Sequence, residues 1–160
     1  MRKIREQEVI AYHASKEDIK SFDPNKTGRE FGIHFGTLDS AKHRGAIGGT
    51  GFHIKKYSIL IDNPLHLDDV LRWDVNNILY SMASNGYLSR PEASELIKNI
   101  SEEAIKNSKA NSSSLTAEKY KVLKNVLEKM GYDSIVYDNK GETGGVAYIV
   151  FDAKQVKQVN

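Results

Sequence analysis

Strand-forming runs stand at both ends of this 160-residue chain, and helical periodicity fills only its middle. That order restricts the fold more than any other feature. Glu8 to His13 reads as a strand through the apolar run Val9, Ile10, Ala11 and Tyr12. Ile33 to Gly36 reads as a second. His53 to Asp62 reads as a third, with Ile54, Tyr57, Ile59 and Ile61 apolar before Asn63-Pro64 ends it. Val75, Ile78, Leu79, Met82 and Ala83 then recur at helical spacing until Asn85-Gly86. Pro91 suits the first turn of a next helix carrying Ile97, Ile100 and Ala104. Asn107 to Ser114 reads as a polar linker or a frayed helix end. Leu115 to Met130 forms a third helical pattern through Tyr120, Leu123, Leu127 and Met130, stopped by Gly131. Asp133 to Tyr137 and Val146 to Asp152 return to strand. This order predicts one α+β domain over residues 1–160, with a largely antiparallel sheet and a helical insertion at about 75–130.

The shorter elements are read from turn and cap chemistry. Lys16 to Lys20 suits one helical turn capped by Ser15, and Phe22-Asp23-Pro24-Asn25 a turn. Asp39 to Arg44 reads as a short helix with Thr37 or Asp39 as N-cap. Gly45 to Gly51 holds four glycines and reads as a mobile loop or, alternatively, a phosphate cradle. No lysine-threonine pair follows it, so it is not a P-loop. Asp68-Asp69 reads as a helix start.

Composition removes several function classes. The 23 basic and 21 acidic residues are interspersed and leave a net charge of +2, which does not indicate a nucleic-acid groove. Without cysteine there is no disulfide, zinc-thiolate site or thiol nucleophile. The basic segment Met1 to Arg5 is not followed by an apolar signal-peptide core, and no run approaches the ~20 apolar residues that span a bilayer. A soluble protein acting in the cytoplasm is expected.

Three separated segments carry the chemistry. They are Tyr12-His13-Ala14-Ser15, Phe31-Gly32-Ile33-His34-Phe35-Gly36-Thr37, and Ala147-Tyr148-Ile149-Val150-Phe151-Asp152 with Glu142 upstream. The first resembles the Tyr-His-Gly-Ser/Thr strand of ADP-ribosyltransferases of the diphtheria-toxin and poly(ADP-ribose) polymerase type. The second resembles their Gly-Ile-Tyr-Phe strand, followed by a helix with a Ser-Ala pair, here Ser40-Ala41. The third is similar to their closing Glu-Tyr-Ile-Val-Tyr-Asp strand. Ile61-Asp62-Asn63-Pro64-Leu65 is similar to small domains of this superfamily in phage polyvalent proteins and in ADP-ribosylating anti-CRISPR proteins.

The resemblance implies a split antiparallel β-core with NAD as co-substrate. It also implies a macromolecular acceptor, a host protein in the first place, in the host cytoplasm if the chain is phage-derived. His13 would bind a ribose and the Ala14 backbone the nicotinamide amide, with Tyr12 and Ser15 beside them. His34, Phe35 and Gly36 would line the same cleft, Thr37 and Ser40 would supply hydroxyls, and Tyr148 would lie on the closing strand. His43, or else Arg44, takes the place of the family's stacking aromatic. The family's catalytic glutamate falls on Ala147, so the resemblance leaves Glu142, five residues earlier, as the candidate acid.

Each of these residues also has a plain structural reading. His13 on an apolar strand can be a satisfied core histidine, His34 and His43 can be solvent-facing, and Glu142 beside glycines can be a solvated turn residue. Three functions stay open: a mono-ADP-ribosyltransferase, a catalytically silent module that binds NAD or ADP-ribose, and an NAD-hydrolysing toxin.

Overall fold

The computed structural model describes residues 7–15, 22, 30–48, 51–140 and 144–160, and only the backbone of residues 46–48. The expected turn at Lys16–Lys20, most of that at 22–25, and Glu142 lie outside the described residues. The chain divides into two compact units, one built from residues 1–24, 33–69 and 132–160, the other from residues 25–32 and 70–131. The elements define the expected α+β class.

The first unit holds two sheets. One orders β1 (Gln7–Ser15), β3 (His53–Ile61) and β7 (Val156–Val159), all antiparallel. The other orders β2 (Ile33–Phe35), β6 (Val146–Val150), β5 (Ser134–Asp138) and β4 (Pro64–His66). Its β4–β5 pair is parallel, an exception to the antiparallel expectation. Pro64 thus begins a strand as well as ending the previous one, because an edge position asks no N–H of it.

Among the described residues one isolated backbone bridge links the sheets. Tyr12 N–H donates to the Gly36 carbonyl at 2.8 Å, and Gly36 N–H returns the bond at 2.9 Å. Ala11, Phe35, Tyr57, Ile59, Ile61 and Val150 form the buried core of this unit. Alternation explains the membership, since residues two apart on a strand share a face.

Helix α1 (Leu38–Gly48) follows β2 and runs past the expected end at Arg44. Thr37 caps it: its Oγ1 accepts from Ser40 N–H at 3.1 Å, while its carbonyl accepts from Ala41 N–H. Gly45 and Gly48 therefore continue a helix rather than open a loop. An interior glycine costs about 1 kcal/mol. A Cβ on Gly45 would meet Phe52 at 3.5 Å, an ordinary van der Waals contact, so the site has room for a side chain there. Thr37→Ala is expected to destabilise the domain by about 1 kcal/mol and Thr37→Ser by much less. Urea denaturation of the two variants measures the difference.

The second unit contains α2 (Val75–Ser84), α3 (Arg90–Asn111) and α4 (Leu115–Lys129). Helix α2 starts at Asp74, whose carboxylate accepts from Asn77 N–H at 2.9 Å. Asp68-Asp69 is not the helix start; Leu71 intervenes with a φ of 63°, which no helix accommodates. Helix α3 carries a capping box between Ser89 and Glu92 and continues to Asn111, so residues 107–111 are helix rather than linker. Val75, Ile78, Leu79 and Met82, then Ile100 and Ala104, then Tyr120, Leu123 and Leu127 bury the apolar stripes read from the sequence. Phe31 belongs to this unit: its N–H donates to the Trp73 carbonyl at 2.8 Å and its ring lies 5.8 Å from that of Tyr120.

Candidate functional site

A small, solvent-open cleft lies in the first unit, where the two sheets meet. Tyr12, His13 and Ala14 of β1 form one wall, and His34, Phe35 and Gly36 form a second. Ser40, Ala41 and Arg44 enter from α1 at helical spacing, and Tyr137, Asn139 and Ala147 close the cleft from β5 and β6. Seven of the twelve site residues expected from sequence thus converge: Tyr12, His13, Ala14, His34, Phe35, Gly36 and Ser40.

The strand geometry makes β1 chemically useful. Backbone donors and acceptors of a strand turn alternately to its two sides. Tyr12 bonds Gly36 on one side, His13 faces β3 opposite Lys55, and Ala14 turns back to the Gly36 side. The Ala14 N–H and C=O consequently face the cleft that Ala14 lines. A planar amide is the natural complement of such a donor–acceptor pair.

His13 is held in one tautomer. Its Nδ1 lies 2.6 Å from the His34 carbonyl oxygen, which can only accept, so Nδ1 carries the proton. In the neutral ring Nε2 is then an acceptor. Burial and the nearby Arg44 charge hold its pKa below the ordinary 6.5, although the His34 bond opposes the shift. The ring meets Phe22 edge-on at 5.2 Å and lies 5.7 Å from Phe35. His13 is therefore both a packed core residue and a lining residue of the cleft.

The remaining expected residues are placed elsewhere. Ser15 is the last residue of β1, opposite His53. Thr37 is taken up by the α1 cap, where its hydroxyl also donates to Ser40 Oγ at 3.1 Å. His43 and Arg44 are both exposed on α1, and Arg44 borders the cleft. Tyr148 packs against the core, on the face of β6 opposite Ala147. Burial raises its phenol pKa.

Tyr137 and Asn139 were not expected in the cleft, and Arg44, the alternative to His43 in the stacking position, lines it. The i, i+4 spacing of Ser40 and Arg44 was the available signal for Arg44. Tyr137 pairs with Ala147 across β5 and β6, which needs a register no single sequence displays.

Among the described residues that line the cleft, none carries a carboxylate. Ala147 lines it with a methyl group and is 2% exposed. The connector from β5 to β6 is closed at its ends: Asn139 N–H donates to the Gly145 carbonyl and Gly144 N–H to the Asn139 carbonyl, both at 2.9 Å. Gly145 has a φ of +90°, and a Cβ there would stand 2.8 Å from Thr37 Cγ2. Gly145→Ala is expected to destabilise the fold by at least about 1 kcal/mol. Pairing it with Thr37→Ser, which removes the clashing methyl, should recover part of that loss in thermal melts. Equal melting of both Gly145→Ala proteins would show that backbone strain alone sets the cost.

Two sheets around this cleft, with the helices, make an α+β domain consistent with an ADP-ribosyltransferase-like fold. Residues 7–160 match the family described as ADP-ribosyltransferase in polyvalent proteins, and the chain belongs to that family. Among solved structures the chain is similar to one titled "Crystal structure of an anti-CRISPR protein". That match has 15% identity and a TM-score of 0.43, covering 95% of this chain and 96% of the other. No curated protein matches the chain. No described helix is long and apolar enough to cross a membrane.

Proposed function

We propose that the domain is a mono-ADP-ribosyltransferase that uses NAD as donor and modifies a macromolecular acceptor, a protein in the first instance. The observation that carries this reading is the β1 wall. The Ala14 backbone faces the cleft as a donor–acceptor pair suited to the nicotinamide carboxamide. The adjacent neutral His13 offers Nε2 to a ribose hydroxyl. His34 and Phe35 wall the nicotinamide end.

In the reaction the bond between the ribose anomeric carbon and the nicotinamide nitrogen breaks. The bond pair leaves with nicotinamide and neutralises its pyridinium charge. Positive charge develops on the ribose, the acceptor nucleophile bonds to the anomeric carbon, and its proton passes to solvent or a base. A carboxylate near the ribose hydroxyl stabilises that state more than the ground state. Glu142 is assigned this role. It stands three residues from Asn139, which lines the cleft, and two from Gly144, which bonds to Asn139. The bound dinucleotide must also be oriented, which the fixed His13 tautomer and the strand-edge amide favour.

Purified protein incubated with labelled NAD and a cell lysate is expected to label a macromolecule. Digestion of the product by protease or by nuclease distinguishes a protein acceptor from a nucleic acid. A second reading is favoured by Ala147 at the family's usual acid position: a domain that binds NAD or ADP-ribose without turnover. It predicts a raised melting temperature with either ligand and no release of nicotinamide. Steady release would eliminate it.

A further inference from the structure

Strand β1 is an edge of its sheet, and among the described edges it is the one left unguarded. An edge strand presents unpaired N–H and C=O groups to any passing chain, and proteins ordinarily blunt it with brevity, proline or lysine. Here β4 carries Pro64, β2 is three residues long and β7 carries the exposed Lys157. Strand β1 runs for nine residues with neither lysine nor proline. Its one acid, Glu8, is drawn across the strand pair, where the Ser58 hydroxyl donates to its carboxylate.

Strand β3 occupies one side of β1 from Gln7 to Ser15. On the other side Tyr12 is bonded to Gly36. Alternation turns the N–H and C=O of Glu8 and Ile10 to that same side, where no described residue pairs with them. The Ile10 side chain is 48% exposed, and Leu60, its diagonal neighbour on the same sheet face, is 39% exposed. Two residues beyond Ile10, about 7 Å along the strand, Tyr12 is already cleft wall.

We infer that the Glu8–Ile10 edge is the docking site for the protein acceptor, which adds an extended segment to β1 as a further strand. The inference rests on the proposed transferase reading. Main-chain bonds to Glu8 and Ile10 hold the segment, and its alternate side chains lie beside Ile10, so it carries apolar residues at every second position. The Tyr12–Gly36 bridge ends the pairing. That continuity selects the acceptor as occupant, because a strand that stops at Tyr12 stops at the wall of the cleft.

The discriminating variant is Ile10→Pro. It removes an N–H that points away from β3, a position where an edge strand tolerates proline. The variant should keep the melting temperature and NAD affinity of wild type, while protein labelling in a lysate supplied with labelled NAD falls about 10-fold or more. Val9→Pro removes a donor to β3 and should instead melt at lower temperature. Ile10→Lys keeps the N–H but sets a charge beside the incoming strand; it should also lower labelling, and it decides the matter if the proline variant does not fold. In the free protein the Ile10 amide should exchange with deuterium much faster than those of Val9 and Ala11. Undiminished labelling by a folded, NAD-binding variant overturns the inference and leaves the transferase reading standing. An Ile10 amide protected in the free protein does the same, whether this chain covers it or sedimentation reveals a second copy. Wild-type protein that binds NAD but labels no protein defeats the reading of a protein acceptor, and the inference with it.

Discussion

Glu142→Ala is expected to lower the rate of nicotinamide release by about 10²- to 10³-fold, the usual cost of removing one preorganised charge stabiliser. The effect on NAD affinity should be far smaller. The carboxylate gains most of its interaction only as the ribose becomes cationic, and an interaction confined to that state moves turnover rather than binding. Glu142→Gln is the sharper variant, since it keeps the size and hydrogen-bonding reach and removes only the charge. Both should fall together, measured as nicotinamide released under saturating NAD. Undiminished release by Glu142→Gln would remove this residue from the chemistry and require the stabilising charge to come from elsewhere. Ala147 makes the experiment decisive, because a methyl group at the family's usual position cannot take over.

His13→Phe should weaken NAD by about 10- to 100-fold, because it deletes the Nε2 acceptor while keeping a ring against Phe22 and Phe35. The same change leaves the His34 carbonyl without its donor, so melting temperature should fall as well. The pH profile separates the two roles. The folded-state pKa of His13 lies below its unfolded value of 6.5, so the folded protein binds fewer protons than the unfolded chain in this range. Its contribution to stability is complete above pH 6.5 and is lost as pH falls through the folded pKa. NAD affinity should accordingly hold steady as pH drops through 6.5 and decline only below it. His13→Phe should flatten both profiles. An affinity that already halves near pH 6.5 would mean that the imidazole titrates as if in water. Removing the Arg44 charge should raise the His13 pKa, which imidazole NMR titration reads directly.

Much of the fold was legible because alternation and helical spacing are local signals. Val9 and Ala11, or Leu123 and Leu127, announce their faces within a few residues. The elements misread or missed were those decided by distant partners. Helix α1 continues through Gly45, a residue that reads locally as a breaker, and β4 begins at Pro64 because a parallel partner, Ser134, waits seventy residues on. Strand β7 forms against Lys56 to Ile59, a pairing that four residues of mixed character do not advertise. The cleft divided in the same way. Residues on β1 and β2 were found because their motif resembles a family pattern. Tyr137 and Asn139 were not, because only the β5–β6 register sets them beside Ala147. Arg44 was offered only as a substitute for a ring, because the phase of a helix follows from its cap and the extent of α1 was read too short.

The allegiance of Phe31 has a practical consequence for anyone trimming this chain. Its ring is 3% exposed, and its amide and side chain are satisfied by Trp73 and Tyr120. A minimal version made by excising residues 70–131 and rejoining the ends would strip a large aromatic of its surroundings. That aromatic stands only two positions before Ile33, where β2 starts toward the cleft. Shortened chains of that kind should be sticky, and a polar replacement at position 31 belongs in their design from the outset.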